Sequence, residues 1–161
     1  MKTLWAPWRL EYILSGKGKD CIFCTLPLEN NDRENLILLR GEKVFVIMNK
    51  YPYNGGHLMV VPFFHTSSLN GLDEETLSEL MTTVRYSINC LKKVMRPEGF
   101  NVGINIGQAA GAGIEEHIHM HIVPRWAGDA SFMTPIAEVR VVPEHILATY
   151  DKLFPVFNPP C

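Results

Sequence analysis

The stretch His117-Ile118-His119-Met120-His121-Ile122-Val123-Pro124-Arg125-Trp126 decides how the rest of the chain is interpreted. Its three histidines alternate with Ile118, Met120 and Ile122. Strict alternation is typical of a half-buried strand, whose successive side chains point to opposite faces. The histidines would then share one face, with neighbours about 6.7 Å apart, whereas steps of roughly 200° on a helix would scatter them. We predict a strand that presents three imidazoles to one side, with Pro124 ending regular pairing or lying at an edge.

A run of small residues, Asn105-Ile106-Gly107-Gln108-Ala109-Ala110-Gly111-Ala112-Gly113, precedes this strand. Glycines let the backbone turn sharply and approach a ligand closely, and consecutive N–H groups in such a turn can bind an anion. A lone glycine-rich loop is usually an ordinary turn, as a single strand histidine is usually an ordinary half-buried residue. Three imidazoles on one face favour function, because buried uncompensated polar groups cost stability.

Length and composition indicate one soluble globular domain. The chain has 161 residues, of which 47% are apolar and 20% charged, so it can form a core without covalent cross-links. A net charge of −2 argues against nucleic acid as a partner, since that function normally needs a strongly basic surface. We find no apolar run long enough for a membrane span and no secretory signal pattern, so a cytoplasmic location without membrane association is the default expectation.

The remaining pattern predicts an α+β domain. Leucine, methionine and other apolar residues recur every three or four positions from about 73 to 95, which indicates a long helix that starts at acidic residues and ends before Pro97. Other strands are predicted at residues 44–49, 57–62, 100–106 and 138–142, and Pro143 starts a C-terminal helix that runs through Leu153. This order indicates an antiparallel sheet with helices to one side.

The triad stretch and three others resemble the histidine-triad (HIT) superfamily of nucleotide hydrolases and transferases. These others are Val46-Ile47-Met48-Asn49, Gly56-His57-Leu58-Met59-Val60-Val61-Pro62 and the loop 105–113. The segments Leu4-Trp5-Ala6-Pro7-Trp8-Arg9 and 125–132 are similar to a narrower branch, the bacterial diadenosine tetraphosphate (Ap4A) phosphorylases. The resemblance implies a sheet of about five strands that is commonly extended across a homodimer or higher homo-oligomer.

We divide the chain into an N-terminal arm at 1–19, a HIT domain at 20–126 and a C-terminal extension at 127–161 that packs on the same domain. The arm carries Trp5 and Trp8. It either docks on a second subunit or forms a short helix that covers its own domain, and the sequence favours neither.

The middle histidine, His119, is the predicted nucleophile. A neutral imidazole can attack phosphorus, and the resulting nucleotidyl-histidine divides one difficult displacement into two easier ones. Neighbours on both sides can hold the ring, and the middle histidine plays this role in the HIT family. The resemblance implies that His121 and His57 support it, by hydrogen bonding and by handling the proton of the leaving group.

Phosphate and ribose binding are predicted in three places. Asn105 and the N–H groups of Gly111, Ala112 and Gly113 are candidates for the phosphate oxygens, and Asn49 matches the ribose-binding position of the family. Arg125 faces either the outer phosphates or solvent. Many HIT proteins have a glutamine at the position of Gly113, and the glycine is similar to the phosphorylase branch.

The pair Cys21-Ile22-Phe23-Cys24 has three interpretations: half of a zinc site, a redox pair, or two reduced thiols. No thioredoxin-like pattern precedes it, which argues against the redox pair. The resemblance implies that His65 and His117 complete a Cys-Cys-His-His site, as in zinc-binding HIT relatives. Such a zinc would be structural, since four protein ligands leave no open position. We predict structural zinc and no catalytic cofactor.

Three functions are therefore compared. The leading hypothesis is an enzyme that converts a dinucleoside polyphosphate and inorganic phosphate, through adenylyl-His119, into ATP and ADP when the substrate is Ap4A. If water attacks instead, the same site is a hydrolase of dinucleoside polyphosphates or nucleoside phosphoramidates that releases AMP. The third is a binding module for adenine nucleotides with little turnover, for which a complete triad would not be needed. A redox or zinc-dependent interaction protein is a weaker fourth hypothesis.

Overall fold

A computed structural model of the protein describes residues 20–129 and 144–160. Five antiparallel strands form one sheet in the order β1-β2-β3-β5-β4. The strands are β1 Ile37–Arg40, β2 Val44–Met48, β3 Leu58–Pro62, β4 Gly99–Ile104 and β5 Met120–Arg125. The helices are α1 Ile22–Thr25, α2 Glu74–Met95 and α3 Ile146–Phe157. The predicted α+β class, with about five strands, a long helix and a C-terminal helix, is confirmed.

The hairpin of β2 and β3 forms the centre of the core. Every residue of both strands is buried, so the hairpin is covered on both faces. Val46 pairs with Val60 and Ile47 with Met59, and β-branched residues favour this pleated packing. The hairpin matches the prediction to within one residue at each end. This buried hairpin supports the histidine segment, because β3 pairs directly with β5.

Helix α2 follows the predicted boundaries closely. The side chain of Asp73 caps its first turn and accepts a hydrogen bond from the backbone N–H of Thr76 at 2.7 Å. The helix ends at Arg96, whose left-handed backbone (φ 49°) stops it before Pro97. The apolar face packs on β2, β3 and β5. Cys90 is buried on this helix, as expected for a small apolar residue.

Strand β1 and helix α1 were not predicted. Both are only four residues long, and Ile37-Leu38-Leu39-Arg40 lacks the alternation that identifies a half-buried strand. Contacts from outside hold β1 in place: the Tyr150 hydroxyl donates to the carbonyl oxygen of Ile37 at 2.9 Å, and the Asn158 side chain donates to that of Leu38 at 2.7 Å. Helix α3 therefore packs on β1 as well as on α2.

The C-terminal helix extends four residues beyond the predicted end at Leu153, and Pro155 lies inside it. Its N-cap is His145, whose Nδ1 accepts from the N–H of Leu147 at 3.3 Å. The predicted arm at 1–19, the strand at 138–142 and the helix start at Pro143 lie outside the described residues. None of the helices within the described ranges is long and apolar enough to cross a membrane.

The triad segment differs from the prediction in one respect. Strand β5 begins at Met120, so only His121 of the three histidines lies in it, and the expectation that one strand carries all three was wrong. The chain bends at His117 and is anchored by a hydrogen bond from the N–H of Ile118 to the carbonyl oxygen of Thr66 at 2.7 Å. The His117 ring lies 5.0 Å from that of His65, whereas the His119 ring lies 4.7 Å from that of His121. Pairing of β5 with β3 stops at Ile122, before Pro124, while pairing with β4 continues.

Candidate functional site

His57 and His121 form a hydrogen-bonded pair at the centre of the site. The backbone N–H of Tyr53 donates to Nδ1 of His57 at 3.1 Å, so the ring proton of a neutral His57 lies on Nε2. That Nε2 lies 2.9 Å from Nδ1 of His121 and donates to it. The proton of a neutral His121 must then be on Nε2. The two successive hydrogen bonds, from Tyr53 to His57 and from His57 to His121, thus leave the Nε2–H of His121 as a hydrogen-bond donor.

His119 is held in the opposite tautomer. Its Nδ1 lies 2.8 Å from the carbonyl oxygen of His117, which can only accept, so Nδ1 carries the proton. The lone pair of Nε2 is therefore left for chemistry. The rings of His119 and His121 are neighbours, with centroids 4.7 Å apart and nearly perpendicular planes. A lone pair and an N–H donor thus come from adjacent residues.

Burial keeps these imidazoles neutral. Removal from water lowers the pKa of His57 to about 3 and that of His121 to about 4, and neighbouring imidazoles add to the effect. Burial also lowers the pKa of His119, although the carbonyl oxygen of His117 opposes this shift by favouring the protonated ring. Neutral rings at physiological pH are what a nucleophile and a neutral hydrogen-bond donor need.

The sheet places His57 beside His121. Met59 pairs with His121 across β3 and β5, and His57 lies two residues before Met59 on the same face. The loop before His57 is fixed by Asn54, which donates to the carbonyl oxygen of Pro124 at 3.0 Å and accepts from the N–H of His57 at 3.2 Å. Asn54 has no sequence signal of its own, because its role depends on the nearby carbonyl oxygen of Pro124.

Two aromatic residues that were also missed cover the histidines. The Tyr53 ring lies over His57 and His121, with centroids 4.5 and 5.8 Å away. The Phe23 ring is 4.9 Å from that of His119 and 5.5 Å from that of His117, and only 1% of Phe23 is exposed. Phe23 stands between the two cysteines, and no sequence pattern indicates its contact with His119.

Asn49 and Asn105 lie beside the histidines. Asn49 follows β2, where its N–H donates to the carbonyl oxygen of His57 at 2.9 Å and its side chain accepts from the N–H of Tyr51 at 2.9 Å. Ile104 pairs with Met120 at the ends of β4 and β5, so Asn105 directly follows the last pair on one strand and His119 directly precedes it on the other. Both asparagines are half-buried, so each can present an amide to a ligand.

The glycine-rich loop is a tight turn. Gly107 and Gly111 have left-handed backbones (φ 82° and 84°), which glycine adopts readily. The N–H of Gly111 donates to the backbone carbonyl oxygen of Gln108 at 3.0 Å, and the N–H of Ala112 donates to that of Gly107 at 3.4 Å. These two predicted phosphate donors are therefore engaged within the turn, the second by a long bond that an anion can displace. Gly113 lies just beyond.

Arg125 is held at the far end of β5. Its Nε donates to Asp129 at 2.8 Å and one terminal nitrogen donates to the Asn101 side chain at 2.8 Å. Asp129 also accepts from the N–H of Trp126 at 2.9 Å, so the ion pair closes the turn after the strand. Arg125 lies four residues beyond His121, about 13 Å along the strand. The structure groups it with this turn rather than with the histidines.

Cys21, Cys24, His65 and His117 form a four-donor cluster, in which one donor atom from each residue lies within 4.8 Å of all the others. The Sγ atoms of Cys21 and Cys24 lie 3.3 and 3.6 Å from Nδ1 of His117, and Nδ1 of His65 lies 3.2 Å from it. Tetrahedral zinc with bonds of 2.0–2.3 Å separates its donors by about 3.3–3.8 Å. His117 donates from Nε2 to the carbonyl oxygen of Pro62 at 2.8 Å, which leaves Nδ1 for a metal. The cluster can hold a metal ion.

The family model described as the HIT domain matches residues 30–128. The chain belongs to the HIT family. An AP-4-A phosphorylase of Mycobacterium tuberculosis is 40% identical over 153 residues, which cover 89% of this chain and 78% of that protein. This similarity supports a nucleotide-processing enzyme, and the HIT region contains all the histidines of the site.

Solved structures of HIT proteins have the same fold. A Zn-bound histidine triad family protein from Mycobacterium smegmatis superposes with a TM-score of 0.68 at 24% identity, covering 86% of this chain and 93% of that one. A hypothetical histidine triad nucleotide-binding protein from Sulfolobus tokodaii superposes with a TM-score of 0.66 at 31% identity, covering 85% and 89%. The five-stranded sheet with its long helix is thus the HIT fold.

Proposed function

We propose that this HIT protein is a dinucleoside polyphosphate phosphorylase that converts Ap4A and phosphate into ATP and ADP. The observation that carries the proposal is the tautomer of His119, whose Nδ1–H is held by the carbonyl oxygen of His117 while the Nε2 lone pair is free. The 40% identity to an AP-4-A phosphorylase supports the substrate and the phosphate acceptor. A triad with this tautomer pattern suits catalysis better than binding alone.

In the first step, Nε2 of His119 attacks the α-phosphorus of one adenosine, and the bond from that phosphorus to the bridging oxygen breaks. ATP leaves, and the Nε2–H of His121 donates a hydrogen bond to the departing oxygen. The adenylylated ring becomes cationic because Nδ1 keeps its proton, and the carbonyl oxygen of His117, 2.8 Å away, stabilises that charge. A cationic imidazole is also a good leaving group for the next step.

In the second step, an oxygen of inorganic phosphate attacks the same phosphorus and the P–N bond breaks. The product is ADP, and His119 returns to its neutral form with Nε2 free. If water takes the place of phosphate, AMP is released instead. The two outcomes share the histidines and differ only in which acceptor the site holds.

Nucleotide contacts follow from the same arrangement. We assign Asn49 to the ribose, because it matches the ribose-binding position of the HIT family and lies at the end of β2, next to the backbone of His57. Asn105, together with the N–H groups of Ala112 and Gly113, is assigned to the phosphate oxygens beside His119, while the N–H of Gly111 stays bonded to the carbonyl oxygen of Gln108. These polar groups supply positioning, on which phosphoryl and nucleotidyl transfer depend.

We assign structural zinc to the four-donor cluster. Two thiolates and two imidazoles suit Zn²⁺ and leave no open position, and a HIT protein of the same fold is described as Zn-bound. The ion would tie the segment around α1 to His117. It supplies no chemistry to the reaction.

We further propose a homodimer joined at β4. This strand forms one edge of the sheet, and it exposes Val102 by 43%, while Ile106 just beyond is exposed by 54%. An exposed edge with apolar side chains is a template for pairing with a second copy. Light scattering should give twice the chain mass, and Val102→Asp should reduce it to one chain.

The decisive experiment is rapid quenching with Ap4A labelled at the α-phosphates. Wild type should form a covalent adenylyl-protein that His119→Gly cannot form, while nucleotide binding survives. His145→Asn is the matched control, because it replaces an exposed histidine and keeps an acceptor at the helix N-cap. With phosphate present the products should be ATP and ADP. Accumulation of AMP at the same rate with and without phosphate would assign the hydrolase instead.

A further inference from the structure

Two contacts connect the metal cluster to the nucleophile. The first is the main-chain carbonyl of His117: this residue offers Nδ1 to the cluster while its oxygen accepts from Nδ1 of His119. The second is Phe23, which lies between the ligands Cys21 and Cys24 and packs its ring 4.9 Å from that of His119. The first contact begins at a candidate metal ligand and the second at a residue flanked by two of them, and both end on the imidazole of His119.

We propose that Phe23 and the carbonyl of His117 are positioning groups through which an ion bound by Cys21, Cys24, His65 and His117 fixes the ring orientation and tautomer of His119. The proposal rests on the adenylyl-transfer function assigned above and adds a regulatory property: metal occupancy determines whether the nucleophile is aligned. The ion acts only through residues of the chain and stays outside the reaction.

The local structure explains why the segment depends on the ion. Phe23 belongs to α1, a single turn of four residues whose N-cap, Cys21, makes no side-chain capping bond. Helices this short are not stable alone, because nucleation fixes several residues for one hydrogen bond. Without an ion, the thiols offer only weak hydrogen bonds to the imidazoles. Metal bonds to Cys21 and Cys24 would hold both ends of this turn and press Phe23 against His119.

His117 is constrained in the same way. Its ring is held between the carbonyl oxygen of Pro62 on Nε2 and the cluster on Nδ1. Fixing both ring nitrogens fixes the side chain, and the chain bends at this residue before β5 begins. The carbonyl oxygen that holds the tautomer of His119 belongs to His117. A metal bound at Nδ1 of His117 would therefore help to orient that carbonyl.

The test measures the ring itself. In protein labelled with ¹⁵N-histidine, the zinc-loaded form should show His119 protonated at Nδ1 and unprotonated at Nε2. After chelation, or in Cys24→Ser, the two nitrogens should shift toward averaged values as both tautomers become populated. Adding Zn²⁺ back to chelated protein should restore the first spectrum. The first-turnover rate of adenylyl-His119 formation should fall at least about tenfold and recover with the metal.

Phe23→Leu separates positioning from metal binding, because all four ligands remain. It should keep one zinc per chain, show partial averaging of the His119 tautomers, and reduce kcat about tenfold with KM little changed. Cys90→Ser, a thiol replacement in the α2 core, should match wild type in metal content and spectrum. Cys24→His supplies a ligand nitrogen in place of the lost sulfur, so relative to Cys24→Ser it should recover the metal and most of the rate of adenylyl-His119 formation.

An unchanged His119 spectrum and rate after complete metal removal would overturn the proposal. If chelation unfolds the chain, Phe23→Leu decides alone: zinc at one per chain with wild-type tautomers and kcat rejects it. Failure of the proposed function is a separate result, namely that zinc-loaded wild type never forms adenylyl-His119.

Discussion

The Nε2 atom of His57 lies 2.9 Å from the Nδ1 atom of His121, and this single bond determines which nitrogen of His121 faces the site. Because the backbone of Tyr53 fixes the tautomer of His57, the direction of donation is set by the main chain. A buried side chain, His57 at 1% exposure, thus controls the N–H that we propose donates to the leaving oxygen.

Replacing His57 tests this bond. His57→Asn removes the donor to His121, and we expect kcat for Ap4A to fall about 10- to 100-fold, as is typical when a proton-handling group is disturbed. The Nε2 of glutamine reaches about as far as that of histidine, so His57→Gln should recover most of the loss. Steady-state kinetics of both variants at saturating phosphate measure the difference. Equal activity of the two variants would show that donation to His121 is unimportant.

Stability should decline as the pH falls below about 6.5. Unfolded histidines have a pKa near 6.5, whereas burial lowers the pKa of His57 to about 3 and of His121 to about 4. Between about pH 6.5 and 4 the unfolded chain binds protons that the folded chain does not, so each histidine removes up to about 1.4 kcal/mol per pH unit. Above pH 6.5 this contribution is constant.

Urea unfolding at pH 5.5, 6.0, 7.0 and 8.0 measures this dependence. His57→Gln should reduce the slope of the unfolding free energy below pH 6.5 by about 1 kcal/mol per pH unit. A slope equal to that of wild type would mean that His57 binds protons in the folded chain over the same pH range as in the unfolded chain, so that burial does not lower its pKa.

Glu79 should stabilise the turn between β1 and β2. Its Oε1 accepts from the N–H groups of Glu42 at 2.9 Å and Lys43 at 3.0 Å, so a helix residue satisfies two turn donors. Glu79→Ala should lower the unfolding free energy by about 1–2 kcal/mol, because both donors lose their partner. Glu79→Gln keeps an acceptor and should cost less. Neither should change the adenylylation rate, which a quench assay checks.

Arg125 should act on stability rather than on substrate binding. Arg125→Ala removes bonds to Asp129 and Asn101 at a half-exposed site, which is worth about 1 kcal/mol. Asp129→Ala should have a similar effect, and KM for Ap4A should change less than about threefold in both. A tenfold rise in KM for Arg125→Ala alone would instead assign the guanidinium to the outer phosphates.

Patterns with strong periodicity were predictable. Helix α2 agreed to within one residue because its apolar spacing, the acidic start at Asp73 and Pro97 all indicate the same boundaries. The cluster of Cys21, Cys24, His65 and His117 was predicted from the family resemblance, and the structure brings all four donors together. The helix boundaries follow from residue type and spacing, whereas the complete ligand set required the family resemblance.

Features that depend on tertiary contacts were not predictable. Strand β1 is held by Tyr150 of α3 and by Asn158 just after that helix, which lie far along the chain and donate to its carbonyl oxygens. The opposite tautomers of His119 and His121 follow from the positions of one carbonyl oxygen and one imidazole, which no sequence pattern encodes. The role proposed for Phe23 rests on the 4.9 Å between its ring and that of His119, which no sequence pattern indicates.

The hydrogen bonds from Tyr150 and Asn158 to β1 also bear on how many copies can associate. They occupy carbonyl oxygens of the first strand in the sheet order, so that side is blocked by the chain's own final helix. Among the strands of the described residues, β4 is then the edge left for strand addition. In the homodimer proposed above, the two β4 edges would cover each other, so the sheet would stop at two chains and would not grow into a fibre.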